Sequence, residues 1–143
     1  MSLRLRLSMT INVAWQEDCR FKVVTEEQHE FFVDADNALA PCPTEVLLAA
    51  LGSCSATDVV LGLKEQGVDL KNLSNDLSYT LTEQSPQLYE SVNLHFTIEA
   101  TEVTEHQVDT AISEAVSKYC HVCLMLQPTI RISHTFDLEP VVP

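Results

Sequence analysis

Cys54 lies inside the apolar segment Pro43-Thr44-Glu45-Val46-Leu47-Leu48-Ala49-Ala50-Leu51-Gly52-Ser53-Cys54-Ser55-Ala56, whose spacing reads as helix rather than loop. Two more thiols fall in Lys118-Tyr119-Cys120-His121-Val122-Cys123, at the end of another predicted helix. A thiol on an apolar helix face is shielded from bulk water and can still meet a partner thiol from elsewhere in the chain. That arrangement suits reversible sulfur redox chemistry on an apolar substrate. The competing reading is packing alone, because free cysteine behaves as a small hydrophobe.

Cys120 and Cys123 also form a C-x-x-C, which can act as a local redox pair. Adding His121 gives Cys-His-x-Cys. Zinc needs four ligands, and with Cys54 as the one further party the set is incomplete, so no metal is expected. Cys19 and Cys42 fall in predicted loop or hairpin and receive no role. His95 and His134 lie on predicted strands, and each is read as a hydrogen-bonded structural histidine.

The elements that must position these thiols follow from periodicity. Leu3, Leu5, Leu7, Met9, Ile11 and Val13 alternate with polar residues and predict a half-buried strand. Arg20 to Thr25 and Glu30 to Val33 read as a hairpin, and 34–43 as a loop. Pro43 suits a helix's first turn and Gly67 its left-handed stop. Between them Leu47, Ala50, Leu51, Cys54, Asp58 and Leu61 are expected to share one face. Val46, Ala49, Val60 and Leu63 widen the apolar surface, so this helix should be the centre of the fold or part of a subunit interface. Strands follow at Leu77, Tyr79 and Leu81, then at Val92, Leu94, Phe96, Ile98 and Ala100, with a turn near Ser85-Pro86. Thr104 with Gln107 starts a second helix as a capping box, with Val108, Ala111, Ile112, Ala115, Val116 and Tyr119 as its buried stripe. A last strand from about Thr129 carries Ile130, Ile132, His134, Phe136 and Leu138 on one face. Three strands, helix, two strands, helix and strand indicate an α+β fold.

The 143 residues suffice for one domain with its own core. A formal net charge of -13 argues against nucleic acid and anionic membrane surfaces as partners. No uninterrupted apolar run long enough to span a bilayer is evident, and residues 1–6 lack the apolar core of a signal peptide. Five irregularly spaced cysteines fit reduced thiols better than a disulfide framework, and a cytoplasmic location is expected.

Three segments carry a resemblance to a known family: Pro43-Thr44-Glu45 through Cys54-Ser55-Ala56-Thr57-Asp58-Val59-Val60, Asn93-Leu94-His95-Phe96, and Lys118-Tyr119-Cys120 through Leu124-Met125-Leu126. In order and at this spacing they resemble the OsmC/Ohr superfamily, and within it the YhfA-like branch. The resemblance implies one domain over residues 1–143, with antiparallel sheets around a long buried central helix plus a second helix. It implies an intertwined homodimer with active sites at the interface. It also implies reduction of organic hydroperoxides in oxidative stress defence, with Cys54 as the attacking thiol and Cys120 as its resolving partner. A small dithiol or lipoylated protein would be the reductant, and no cofactor is implied. The family peroxidases hold the thiolate with an Arg oriented by a Glu beside the proline. Thr44 occupies that Glu position here and Glu45 follows one residue later, on the far side of an ideal helix from Cys54. Of the four arginines (Arg4, Arg6, Arg20, Arg131), Arg20 is the nearest in sequence position. Arg20, Glu45, Asp58 and Cys123 are therefore the candidate supporting residues. Asp58 shares the face of Cys54, where its charge opposes a thiolate. The alternative is a non-peroxidatic small-ligand-binding or redox-sensing protein of the same fold.

Overall fold

The computed structural model describes residues 9–141, and the chain divides into two compact units, 1–47 and 48–143. The first unit contains a three-stranded antiparallel sheet in the order β1-β2-β3, with β1 at Asn12–Glu17, β2 at Arg20–Val24 and β3 at Glu30–Asp34. The β2–β3 hairpin matches its sequence reading. The alternating N-terminal strand does so only in part. Residues 1–8 lie outside the described ones, Met9 and Ile11 precede β1, and Val13 and Trp15 are exposed on it.

The loop after β3 is organised by Asp34, whose buried carboxylate accepts from the backbone N–H groups of Asp36, Ala38 and Leu39 at 2.9, 3.3 and 3.1 Å. Those hydrogen bonds to the charged form hold its carboxyl below the usual range.

Helix α1 runs from Pro43 to Glu65, beginning and ending where the sequence indicates. Gly67 has φ +78, a backbone conformation that only glycine adopts without strain, and Val68 N–H closes back on Leu63 O at 3.0 Å. The buried stripe is Leu48, Leu51, Gly52, Ser55, Val59 and Leu63, rotated from the face expected. Leu47 and Leu61 are 39% and 57% exposed, so α1 is buried along one stripe of the single protomer rather than all round. An apolar helix gives its phase poorly, because almost every side chain qualifies as inward. By length and composition α1 would cross a bilayer; Ser53, Ser55, Thr57 and Asp58 kept that from showing as an unbroken apolar run. The first three donate to backbone carbonyls one turn back, at 2.8 Å each, and so carry their polarity within the helix.

The second unit contains the remaining strands in the order β4-β5-β6: Asp69–Leu81, Tyr89–Thr101 and Arg131–Glu139. Val92, Leu94, Phe96 and Ile98 on β5 are fully buried and centre the core, each contributing about 1.5–3 kcal/mol. The pair β4–β5 is antiparallel as expected, but β5–β6 is parallel. The all-antiparallel expectation fails there because the segment between β5 and β6 crosses back to the starting end of β5. The crossover is also more complex than one helix. Helix α2 spans Glu105–Glu114, a π-helical turn follows at Ala115–Tyr119, and a short α3 spans His121–Leu126. The capping box is formed as read: Gln107 N–H donates to Thr104 Oγ1 at 3.1 Å, and Thr104 N–H donates to Gln107 Oε1 at 3.0 Å.

Candidate functional site

Helical geometry sets the first half of the site. Cys54 and Asp58, four residues apart on α1, face the same way. Two contacts to its neighbours fix α1 beside Cys54. Gly52 approaches β4 so closely that a Cβ would stand 2.8 Å from Leu77 Cδ1. Asn75 Nδ2 reaches from β4 to Gly52 O at 3.1 Å and Ser55 Oγ at 3.3 Å. Asn75 was missed by the sequence reading, which began this strand too late. It occupies the inward phase between Leu73 and Leu77, where a polar residue signals a specific hydrogen bond.

The π-helical turn sets the other half. Cys120 N–H donates to Ala115 O at 2.7 Å, the five-residue closure of that geometry, and Gln127 Nε2 donates to the Val116 carbonyl at 3.1 Å. Cys120 then turns extended and caps α3, its Sγ accepting the Cys123 N–H at 3.3 Å. Both Cys120 and Cys123 are fully buried.

The sulfurs of Cys54 and Cys120 and a carboxylate oxygen of Asp58 all lie within 4.8 Å of one another. Cys54 and Asp58 are half-buried and Cys120 is buried. All five cysteines are free thiols. Burial pushes the Cys120 thiol up from its ordinary value, opposed by the hydrogen bond from Cys123 and assisted by Cys54. Cys123 is raised further, by burial first and then by Cys120, Cys54 and Asp58. At neutral pH both are therefore neutral thiols. Beside Asp58 a cleft of about 320 Å³ opens between α1 and the α2 crossover, with Glu65, Glu114 and Tyr119 in its wall.

Arg20 and Glu45 are in the first unit, where Arg20 Nη2 donates to Glu17 Oε2 at 3.1 Å and Glu45 Oε1 accepts from Cys42 Sγ at 3.1 Å. Arg4 and Arg6 lie outside the described residues, and Arg131 is exposed at the start of β6. His95 has structural partners, with Nδ1 2.6 Å from Thr135 Oγ1 and Nε2 3.0 Å from Asp137 Oδ2. His134 Nε2 lies 3.7 Å from Asp109 Oδ1.

A family model for OsmC-like protein matches residues 34–135, which span both halves of this site. The chain belongs to the OsmC-like family. It is 31% identical over 131 residues to Protein YhfA of Escherichia coli strain K12, covering 91% of this chain and 98% of that protein. Among solved structures, the OsmC-like protein from Mycoplasma pneumoniae superposes with a TM-score of 0.79 at 19% identity, covering 92% of this chain and 96% of that one. An organic hydroperoxide resistance protein OsmC from Legionella pneumophila, also described as a predicted redox protein, gives a TM-score of 0.67 at 13% identity, with 91% and 96% covered. These distant likenesses establish the fold.

Proposed function

We propose that this OsmC-like protein reduces organic hydroperoxides through Cys54 and Cys120. The observation that carries the reading is the approach of the two sulfurs within 4.8 Å, one half-buried and one fully buried. Cys54, reached from solvent, attacks the distal peroxide oxygen as a thiolate; the O–O bond breaks and the alcohol leaves, with Cys54 left as a sulfenic acid. The Cys120 thiol then attacks that sulfur, releasing water and forming a Cys54–Cys120 disulfide. An external dithiol, small or carried as a lipoyl group on a protein, returns both thiols by exchange. Cys120 is suited to the second step, because burial keeps it protonated and away from peroxide until Cys54 is oxidised. The apolar residues packed around Cys54 favour bulky organic peroxides over hydrogen peroxide.

The reading extends to a homodimer in the cytoplasm, a reducing compartment suited to five free thiols. Large apolar side chains left exposed by the single protomer, Trp15 and Leu61 among them, support the dimer. The test is peroxide loss after mixing reduced protein with a bulky organic hydroperoxide and a dithiol. Parent protein consumes peroxide and Cys54→Ser does not; no consumption by the parent ends the reading.

One observation favours the alternative of a non-peroxidatic redox sensor or ligand-binding protein. Asp58 stands within 4.8 Å of the Cys54 sulfur, where its negative charge opposes the thiolate that attack requires. Stoichiometric oxidation of Cys54 without turnover would select that alternative.

A further inference from the structure

The same cluster has a property that peroxide chemistry does not use. We propose that Cys54, Asp58 and Cys120 form a binding site for a divalent cation of borderline softness, Zn²⁺ above all, with a fourth coordination position open to a small ligand. Three donor atoms from two elements already converge within 4.8 Å. Tetrahedral zinc, with bonds of about 2.3 Å to sulfur and 2.0–2.2 Å to oxygen, separates its ligands by about 3.5–3.8 Å. The donors stand at most about 1 Å beyond that spacing.

The supports are those of a metal site. Cys54 and Asp58 project from one face of a long helix, one turn apart, so their spacing is fixed by the backbone. The Cys120 sulfur accepts the Cys123 backbone N–H at 3.3 Å, which orients its remaining lone pairs and stabilises a thiolate ligand. The donor set selects the ion: thiolates exclude Mg²⁺ and Ca²⁺, and the carboxylate disfavours Cu(I) relative to Zn²⁺. Asp58 also lines the 320 Å³ cleft, whose wall carries Glu65 and Glu114, an acidic approach for a cation. Asp58 thus supplies the ligand that the Cys-His-x-Cys reading lacked.

Coordination replaces the thiol protons of Cys54 and Cys120 with the metal and releases two protons. No electrons are transferred. Both sulfurs are then occupied, so metal binding and a Cys54–Cys120 disulfide exclude each other. That exclusion as a brake on turnover rests on the peroxidase reading; the metal site does not, because it requires Asp58 and peroxide reduction does not.

The experiment is anaerobic titration of reduced protein, freed of reductant, with Co²⁺ followed by displacement with Zn²⁺. One equivalent of Co²⁺ is expected to give tetrahedral ligand-field bands and thiolate-to-metal charge transfer, both lost on adding Zn²⁺. The charge transfer falls in Cys54→Ser and Cys120→Ser, and affinity falls about tenfold or more in Asp58→Asn. The double variant Cys19→Ser/Cys42→Ser binds as the parent does. Circular dichroism of each variant reports folding, and a Zn²⁺-dependent rise in the parent's thermal midpoint, absent in Asp58→Asn, gives a second readout. Purely octahedral Co²⁺, or Asp58→Asn binding as tightly as the parent, overturns the assignment. Peroxide consumption is scored separately, on metal-free reduced protein. Metal uptake without turnover supports this site and ends the peroxidase reading, whereas turnover without metal uptake ends this site alone.

Discussion

The sulfurs of Cys54, on α1, and Cys120, at the N-cap of α3, lie far apart in the chain and within 4.8 Å of each other. A disulfide closes at about 2.05 Å, so the two sulfurs must approach further before the bond forms. Mild oxidation of the parent with one equivalent of peroxide is expected to give an intramolecular Cys54–Cys120 disulfide, mapped by peptide mass spectrometry. Cys120→Ser should accumulate the Cys54 sulfenic acid, trapped by a dimedone-type reagent. A disulfide found only between Cys120 and Cys123 would contradict this pairing.

The buried thiols make stability depend on alkaline pH. Cys120 and Cys123 are raised above the ordinary value of 9.0, so the folded chain holds their protons more tightly than the unfolded chain. Their contribution is complete below pH 9.0 and drains as pH climbs above it towards the folded values. The ceiling is about 1.4 kcal/mol per pH unit for each thiol, reduced by solvent screening. Urea midpoints at rising pH should fall, and Cys123→Ala should flatten the decline. An unchanged slope in that variant would show that other groups govern it.

Gly52 offers a packing test next to the site. An Ala Cβ would meet the mobile end of Leu77 at 2.8 Å, while helix propensity gains about 1 kcal/mol over glycine. The two effects nearly cancel, so Gly52→Ala should be close to neutral in chemical denaturation. Gly52→Leu cannot be absorbed by one rotamer and should cost about 2–3 kcal/mol. Equal stability of the two variants would refute the close approach.

Trp15 and Leu61, both large apolar side chains, are 66% and 57% exposed in the protomer, and the proposed dimer would cover them. Parent protein should sediment as a dimer. Trp15→Asp and Leu61→Asp should shift it towards monomer at micromolar concentration. A monomeric parent would remove the interface from the proposal.

Much of this architecture was legible in the residues themselves. Pro43 and Gly67 marked the ends of α1, Thr104 and Gln107 the start of α2, and Val92 to Ala100 the core strand, because each rests on local stereochemistry or strict alternation. The convergence of Cys54 with Asp58 followed from helical spacing, whereas its convergence with Cys120 depended on the family pattern. What stayed hidden is tertiary in origin. The parallel pairing of β5 with β6 leaves no mark on period-two alternation. The inward phase of α1 was masked by apolar residues on every side. Asn75 escaped because a half-buried strand with a bulge between Leu70 and Asn72 breaks its own rhythm.

The π-helical turn at Ala115–Tyr119 makes the meeting of the sulfurs hinge on residue count. Such a turn holds one more residue than the α-helical turn it replaces. Shortening it by one would let α2 continue regularly and swing Cys120 about 100° around the axis, away from Cys54. A single codon's loss could therefore uncouple the thiols while leaving core and sheet intact, a simple route by which chains of this fold could part company in their chemistry.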